Sequence, residues 1–224
     1  MNKFEGFYKE SFLFLQNLRK NNNKPWFVEH KEEYEKFLLT PLKQLVLTLE
    51  PFILNIDGNL GTKPVINKTI SRIYRDTRFS KYKTPFKSRM WITFKPNSKN
   101  WKTKPAFFFE IQGDCYCYGM GLFKAEPSYM EKFRYSIDQN EKSFLDVISF
   151  LDKSKDFIVG GKNYKKNFYQ GKSDKIKLWY QKRGLFIVRN REINNNIFNN
   201  QLVEDLQNDF TKLIPLYKYL RNAQ

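Results

Sequence analysis

Ala106-Phe107-Phe108-Phe109-Glu110-Ile111-Gln112-Gly113-Asp114-Cys115-Tyr116-Cys117-Tyr118-Gly119 is the stretch on which the fold turns. Residues 106–112 form a near-continuous aromatic run, suited to a pleated, half-buried surface. Gly113-Asp114 is a turn signal, and residues 115–119 read as the partner strand. Just upstream, 90–95 alternates, with Ile92 and Phe94 on one face. Residues 66–75 are rich in β-branched and aromatic side chains and read as a further strand. The middle of the chain is therefore expected to be an antiparallel meander.

Helical period takes over on both sides. Phe12, Leu15 and Leu18 are spaced i, i+3, i+6, and Asn21-Asn22-Asn23 breaks that helix. Pro25 suits the first turn of a second helix, with an apolar stripe of Trp26, Phe27, His30, Tyr34 and Phe37 or Leu38. Pro41 opens a third, in which Leu42, Leu45, Val46, Leu49 and Ile53 keep the period, and Gly58 and Gly61 close the region. Downstream, one helix opens at Pro127 with Met130, Phe133 and Ile137. Another covers 141–151 with Phe144, Leu145, Ile148 and Leu151. Gly160-Gly161 ends that block, and 185–189 is a short alternating strand. The last helix shows Val203, Leu206, Phe210, Leu213, Tyr217 and Leu220. The reading is one α+β domain over 1–224, a mainly antiparallel sheet with helices packed on it. Its parts are 1–60 helical, 61–120 sheet core, 121–155 helices, 156–192 basic loop and strand, and 193–224 C-terminal helix.

With 224 residues, such a chain buries a core without disulfides or structural metals. Aromatic content of 17% argues against disorder. No apolar run approaches the ~18 residues of a membrane span. The start, Met1-Asn2-Lys3-Phe4-Glu5-Gly6, has no long apolar region of the signal-peptide kind. A cytoplasmic protein without a membrane partner is expected.

The net charge of +17 is unevenly placed. Residues 61–104 hold 13 Lys and Arg against one acid, and residues 161–191 hold 10 against one. The remaining segments are close to neutral. Both basic segments contain strand-like apolar residues, so they belong to the folded body. Side by side they would make one surface attractive to phosphate-rich ligands.

Several chemistries lack their residues. His30 is the single histidine, so zinc spacing and His-dependent triads have no basis. On its aromatic stripe it reads as a packed or capping residue. Cys115 and Cys117 are i and i+2 on one strand face, poor geometry for a mutual disulfide. Gly119-Met120-Gly121 lacks the rest of a nucleotide fingerprint and reads as a glycine turn leaving a strand. No cofactor and no metal are expected.

The informative segment is Arg72-Ile73-Tyr74-Arg75-Asp76-Thr77-Arg78-Phe79-Ser80-Lys81-Tyr82-Lys83-Thr84-Pro85-Phe86-Lys87-Ser88-Arg89. If 70–78 is extended, Arg72, Tyr74, Asp76 and Arg78 share one face, and Ile73, Arg75 and Phe79 the other. Arg forks suit planar two-point contacts to anions. A carboxylate among cations has a lowered pKa and makes a poor base near neutrality, so Asp76 reads as an orienting brace.

Arg-x-x-Arg-Asp-x-Arg-Phe over 72–79, followed by Lys83, Pro85, Phe86 and Lys87, resembles the signature of a bacterial family called domain of unknown function 2461. Asn22-Asn23 with Trp26, Phe27 and Tyr34 resembles its N-terminal element. Gly119-x-Gly121-Leu122-Phe123 with Pro127, Arg134 and Ile137 resembles its glycine turn and following helix. Two positions depart. Tyr82 stands where the family usually has Asp or Asn, and Phe86 where it usually has Tyr. If that carboxylate and phenol serve chemistry, a member lacking them binds without turnover. The resemblance implies a fold and carries no settled activity.

Three functions are weighed. The first is binding of a phosphate-bearing or otherwise anionic, nucleotide-like small ligand by Arg72, Arg75, Asp76, Arg78, Lys83 and Lys87, with backbone amides near Gly119 and Gly121. The alternative is a nucleic-acid-binding face on which Tyr74, Phe79, Tyr82, Phe86, Trp91, Trp101, Tyr164, Phe168, Tyr169 and Trp179 stack bases. The third is an accessory protein without a ligand. No residue is assigned a catalytic role.

Overall fold

Strands β1 (Arg89–Phe94), β2 (Pro105–Gln112), β3 (Cys115–Leu122), β4 (Phe157–Gly160) and β5 (Phe186–Glu192) form one antiparallel sheet in the order β1-β2-β3-β5-β4. The computed structural model describes residues 3–78, 80–154, 156–169 and 171–223. In β2 the alternation sorts the aromatic run cleanly. Phe107, Phe109 and Ile111 are fully buried, while Phe108, Glu110 and Gln112 are half-buried on the other face. Met90, Ile92 and Phe94 do the same in β1. β4 pairs with β5 from Phe157 opposite Arg189 to Gly160 opposite Phe186.

The helices are α1 (Lys9–Lys20), α2 (Lys24–Glu29), α3 (Lys31–Glu33), α4 (Thr40–Ile56), α5 (Pro127–Gln139), α6 (Glu141–Val147), α7 (Phe150–Lys153), α8 (Asp174–Tyr180) and α9 (Gln201–Asn222), and all but α8 lie in regions expected to be helical. The fold class is α+β, with a helical start and a long C-terminal helix.

Five local readings change. Pro41 lies in the first turn of α4 as read, but it does not start a separate helix. A wide π-helical turn, Tyr34–Leu39, joins α3 to α4, and the Thr40 N–H reaches back to the Glu35 carbonyl. Proline has no N–H to give and crowds the carbonyl four residues back, Phe37. Widening the turn relieves this, and the Ser11 hydroxyl donates to that Phe37 carbonyl instead. Residues 66–75 form no continuous strand but isolated bridges. Asn67 turns the chain at φ 67°, a conformation Asn tolerates, so the β-branched run folds back on itself. The 141–151 helix splits at Ile148 into α6 and α7. The basic segment holds two elements beyond the expected strand, β4 and α8; each is short, and α8 shows its apolar side only at Ile176, Trp179 and Tyr180. Gly119 and Gly121 lie inside β3, not in a turn leaving it. A Cβ on Gly119 would sit 1.9 Å from the Ile187 carbonyl oxygen, so strand proximity sets these glycines.

The helical run Lys31–Ile56 is long and apolar enough to cross a membrane by length and composition. Its Leu38, Leu42, Leu45, Val46, Leu49 and Ile53 are fully buried within the protein.

The chain falls into two compact units, each assembled from three stretches. The first comprises Met1–Phe94, Phe108–Cys117 and Arg191–Gln207; the second Lys95–Phe107, Tyr118–Asn190 and Asn208–Gln224. In the first, Phe14 is ringed by Trp26, Phe27 and Tyr34. His30 stacks on Trp26 with centroids 4.1 Å apart, and its Nδ1 lies 2.9 Å from the Trp26 carbonyl oxygen. In the second, Phe107 packs on Phe210 and Tyr217. Buried Asp209 accepts from Tyr118, Arg189 and Lys212, and these bonds outweigh burial to hold its carboxyl below the usual range.

Gly119→Ala should cost stability at the top of the roughly 1–3 kcal/mol range for overpacking, read as a lower denaturation midpoint.

Candidate functional site

The site is built from residues 69–93 of the first unit. Residues 69–71 run beside β1: Ser71 N–H donates to the Trp91 carbonyl at 2.9 Å, and Thr93 N–H to Thr69 at 2.8 Å. The chain then pairs 73–75 against 85–87. Arg75 N–H donates to the Pro85 carbonyl at 2.8 Å, Lys87 N–H to Ile73 at 2.9 Å, and Tyr74 faces Phe86. In such a pair the Phe86 peptide groups point outward. Asn22 meets both. Its Oδ1 accepts from Phe86 N–H at 2.9 Å, and its Nδ2 donates to the Phe86 carbonyl at 3.1 Å. The Phe86 ring stacks on Phe27 at 4.3 Å and lies 5.0 Å from Tyr74. The Asn run therefore does more than break α1: Asn22 grips Phe86, and Asn23 caps α2 by accepting from Trp26 N–H.

Around this anchor lies a cleft of about 500 Å³. Arg75, Asp76 and Lys87 line it, joined by Arg19 and Asn22 from the α1 end and by Thr84, Ser88, Arg89 and Trp91. Burial alternates as expected along 71–78, so Arg72, Tyr74, Asp76 and Arg78 share the exposed side and Arg75 the covered one. Phe79 lies outside the described residues.

The acids sort the cations. Asp76 accepts from Nε and Nη2 of Arg78 at 3.0 and 2.7 Å, and these bonds hold its carboxyl far below the usual range. Arg78 is thereby turned outward and does not line the cleft. Lys83 donates to the Thr77 carbonyl, also outside the cleft. Arg89 lies 3.3 Å from Glu110, and Arg19 lies 3.4 Å from Asp114. The Arg75 guanidinium donates to the neutral Thr84 hydroxyl at 2.7 Å. Lys87 Nζ donates to the Arg72 and Tyr74 carbonyls at 2.6 and 3.0 Å. Among the described residues, no carboxylate pairs with Arg72, Arg75 or Lys87. Burial, then Arg72, Arg89 and Arg75 beside it, bring the Lys87 ammonium down to about 8.

Gly119 and Gly121 belong to the second unit and line no part of this cleft. The second basic segment, up to residue 190, is also in that unit, and four of its cations are answered locally, while Lys162, Lys165, Lys166, Lys182 and Arg183 pair with no carboxylate among the described residues. Lys172 pairs with Asp138 and Glu141, Lys175 with Asp152, Lys177 with Asp174, and Arg189 with Asp156 and Asp209. Of the stacking aromatics proposed from sequence, Phe86 and Trp179 are buried, at 2% and 0% exposure. Among the described residues no group of three His, Cys, Asp or Glu is placed to hold a metal ion.

The anion site read from the sequence lacked Arg19, Asn22, Thr84, Ser88, Arg89 and Trp91, of which Trp91 was named only as a base-stacking aromatic and Asn22 only in the family's N-terminal element. Arg89 and Trp91 had a signal, since they continue the basic stretch directly into β1. Arg19 and Asn22 had none, because only the fold brings the end of α1 to residue 86.

A family model for a conserved hypothetical protein, DUF2461, matches residues 10–219. The chain belongs to the DUF2461 family. No curated protein matches it. The match spans both units, so this DUF2461 cleft is part of the family domain and not an appendage to it.

Two outcomes test the site's construction. Asn22→Ala removes both bonds to the Phe86 peptide and should lower stability by about 1–3 kcal/mol in urea denaturation. Lys87 is displaced downward on folding, so between pH 8 and its ordinary 10.5 the unfolded chain holds a proton that the folded one has lost. Stability of the wild type relative to Lys87→Met should therefore rise with pH across that window. A flat difference in denaturation midpoint would place Lys87 in ordinary solvent.

Proposed function

We propose that the cleft binds a phosphate-bearing or otherwise anionic small ligand, nucleotide-like in its charge. The observation that carries this is the unanswered positive charge at Arg75 and Lys87, which face a concave space beside Arg72 and Arg89. Holding like charges together costs free energy in the unliganded protein, and an anion relieves that cost. Arg75 offers a planar fork and Lys87 a point charge, a pairing suited to phosphoryl oxygens. Thr84 and Ser88 add hydroxyls to the same wall. Asp76 works here as a brace on Arg78. The proposal is for binding, with Arg75 and Lys87 at its centre and Arg78, Lys83, Gly119 and Gly121 outside it.

The nucleic-acid reading calls for a broad exposed face with free aromatics. Burial of Phe86 and Trp179 and the local pairing of Lys172, Lys175, Lys177 and Arg189 leave it less support.

Pyrophosphate and ATP should bind the wild type in isothermal titration calorimetry. Arg75→Ala should weaken that binding roughly 10- to 100-fold, as expected for a charge-assisted bond. Arg78→Ala, whose partner is the exposed Asp76, should change it by less than about threefold. Equal losses in the two variants would point to diffuse surface attraction. For short oligonucleotides, a steep log–log salt slope near −0.7 per phosphate would favour the nucleic-acid reading.

A further inference from the structure

We infer that Lys87 is a nucleophilic amine that forms an imine with a small aldehyde bearing a phosphate, the phosphate being held by the neighbouring guanidinium groups. This rests on the anion-binding reading and adds a substrate class to it. The geometry around Nζ is the first support. Its acceptors are two carbonyl oxygens, Arg72 and Tyr74. Two acceptors match the two N–H bonds of a neutral amine and leave its lone pair free. The nitrogen also lies 4.9 Å from the Trp91 ring centroid, at the wall of the cleft. No carboxylate among the described residues holds it as an ammonium: Asp76 is taken by Arg78 and Glu110 by Arg89. Lysines become nucleophiles near neutrality when desolvated or crowded by other cations, and Lys87 is both. With a value of about 8, roughly a tenth of the amine is neutral at pH 7, against well under a thousandth for an ordinary lysine.

The step balances without an oxidant or reductant. The Nζ lone pair forms the C–N bond while the carbonyl π pair moves to oxygen. That developing alkoxide lies among guanidinium charges. The carbinolamine then loses its oxygen as water, which carries one amine proton and one proton from solvent. The protonated imine keeps one N–H for one of the two backbone carbonyls. A phosphate on the same small molecule would occupy Arg75 and Arg89, and this selects Lys87 over the many exposed lysines.

The test treats the intact protein with glyceraldehyde 3-phosphate or with glyceraldehyde, reduces with cyanoborohydride and maps the adducts by peptide mass spectrometry. Sulfate binding is measured in parallel by calorimetry. The phosphorylated aldehyde should label Lys87 at least about tenfold more than exposed Lys81 or Lys83, in line with charge focusing in a cleft. Sulfate should compete, and glyceraldehyde should show no such preference. Labelling should quicken as pH rises towards 8, whereas sulfate affinity should fall, because the anion favours the ammonium. If sulfate binds and Lys87 is labelled no more than Lys81, the imine is overturned and the anion site stands. If neither sulfate binding nor selective labelling occurs, both fail. Equal labelling of Lys87 by the two aldehydes overturns the role of the phosphate. Since the mapping uses wild-type protein, no variant need fold for the result to be read.

Discussion

The cleft depends on the grip of one side-chain amide on one peptide unit. Asn22 bonds both the N–H and the carbonyl of Phe86, doing what a neighbouring strand would do. Phe86 sits on Phe27 and against Tyr74, so its ring and its backbone are fixed from two sides. Everything functional hangs from that point. Arg75 and Lys87 flank it on the paired segments, and their side chains reach the cleft because the pairing register puts them there. Pro85 sharpens the effect: it accepts from Arg75 N–H and has no N–H of its own, so the ribbon ends there.

A second constraint is the scarcity of acids in this part of the chain. Asp76 is the only one among residues 61–104, and it is consumed by its neighbour Arg78. Exposed pairs of this kind add little stability, but they decide which cations stay available. In the second unit the opposite holds. Asp138, Glu141, Asp152, Asp156, Asp174 and Asp209 answer four cations of the basic segment, Lys172, Lys175, Lys177 and Arg189. Two segments of similar formal charge therefore differ in how many of their cations an acid answers. Net charge along a sequence does not reveal this; the pairing does.

What was legible in the sequence follows the same logic. Side-chain period is a local property, so β1, β2 and β3 and the apolar stripes of α1, α5 and α9 could be read directly. Alternation along 71–78 was also local, and it correctly separated Arg75 from Arg72, Asp76 and Arg78. Most failures needed a partner distant in the chain, and one a local reversal. Gly119 and Gly121 look like turn residues until β5 is laid against them. Pro41 looks like a helix start until Ser11 is found on the carbonyl its ring displaces. The β-branched run at 66–75 looks like a strand until Asn67 reverses it. Asn22 looks like a helix breaker until Phe86 arrives.

The two positions that the sequence resemblance marks as departures, Tyr82 and Phe86, fall in opposite environments. Tyr82 is 75% exposed, on the loop between the paired segments, where its backbone N–H bonds Ser80. Phe86 is 2% exposed and held in an aromatic stack. A hydroxyl at Phe86 would need a partner within that stack, because a buried phenol without one is costly. The phenylalanine thus suits an anchoring role, in which the ring supplies packing and the peptide supplies hydrogen bonds to Asn22. In the proposed binding, the charge is carried by its neighbours in register, Arg75 and Lys87. The proposed binding therefore does not draw on a phenol at position 86 and draws instead on the rigidity that residue confers.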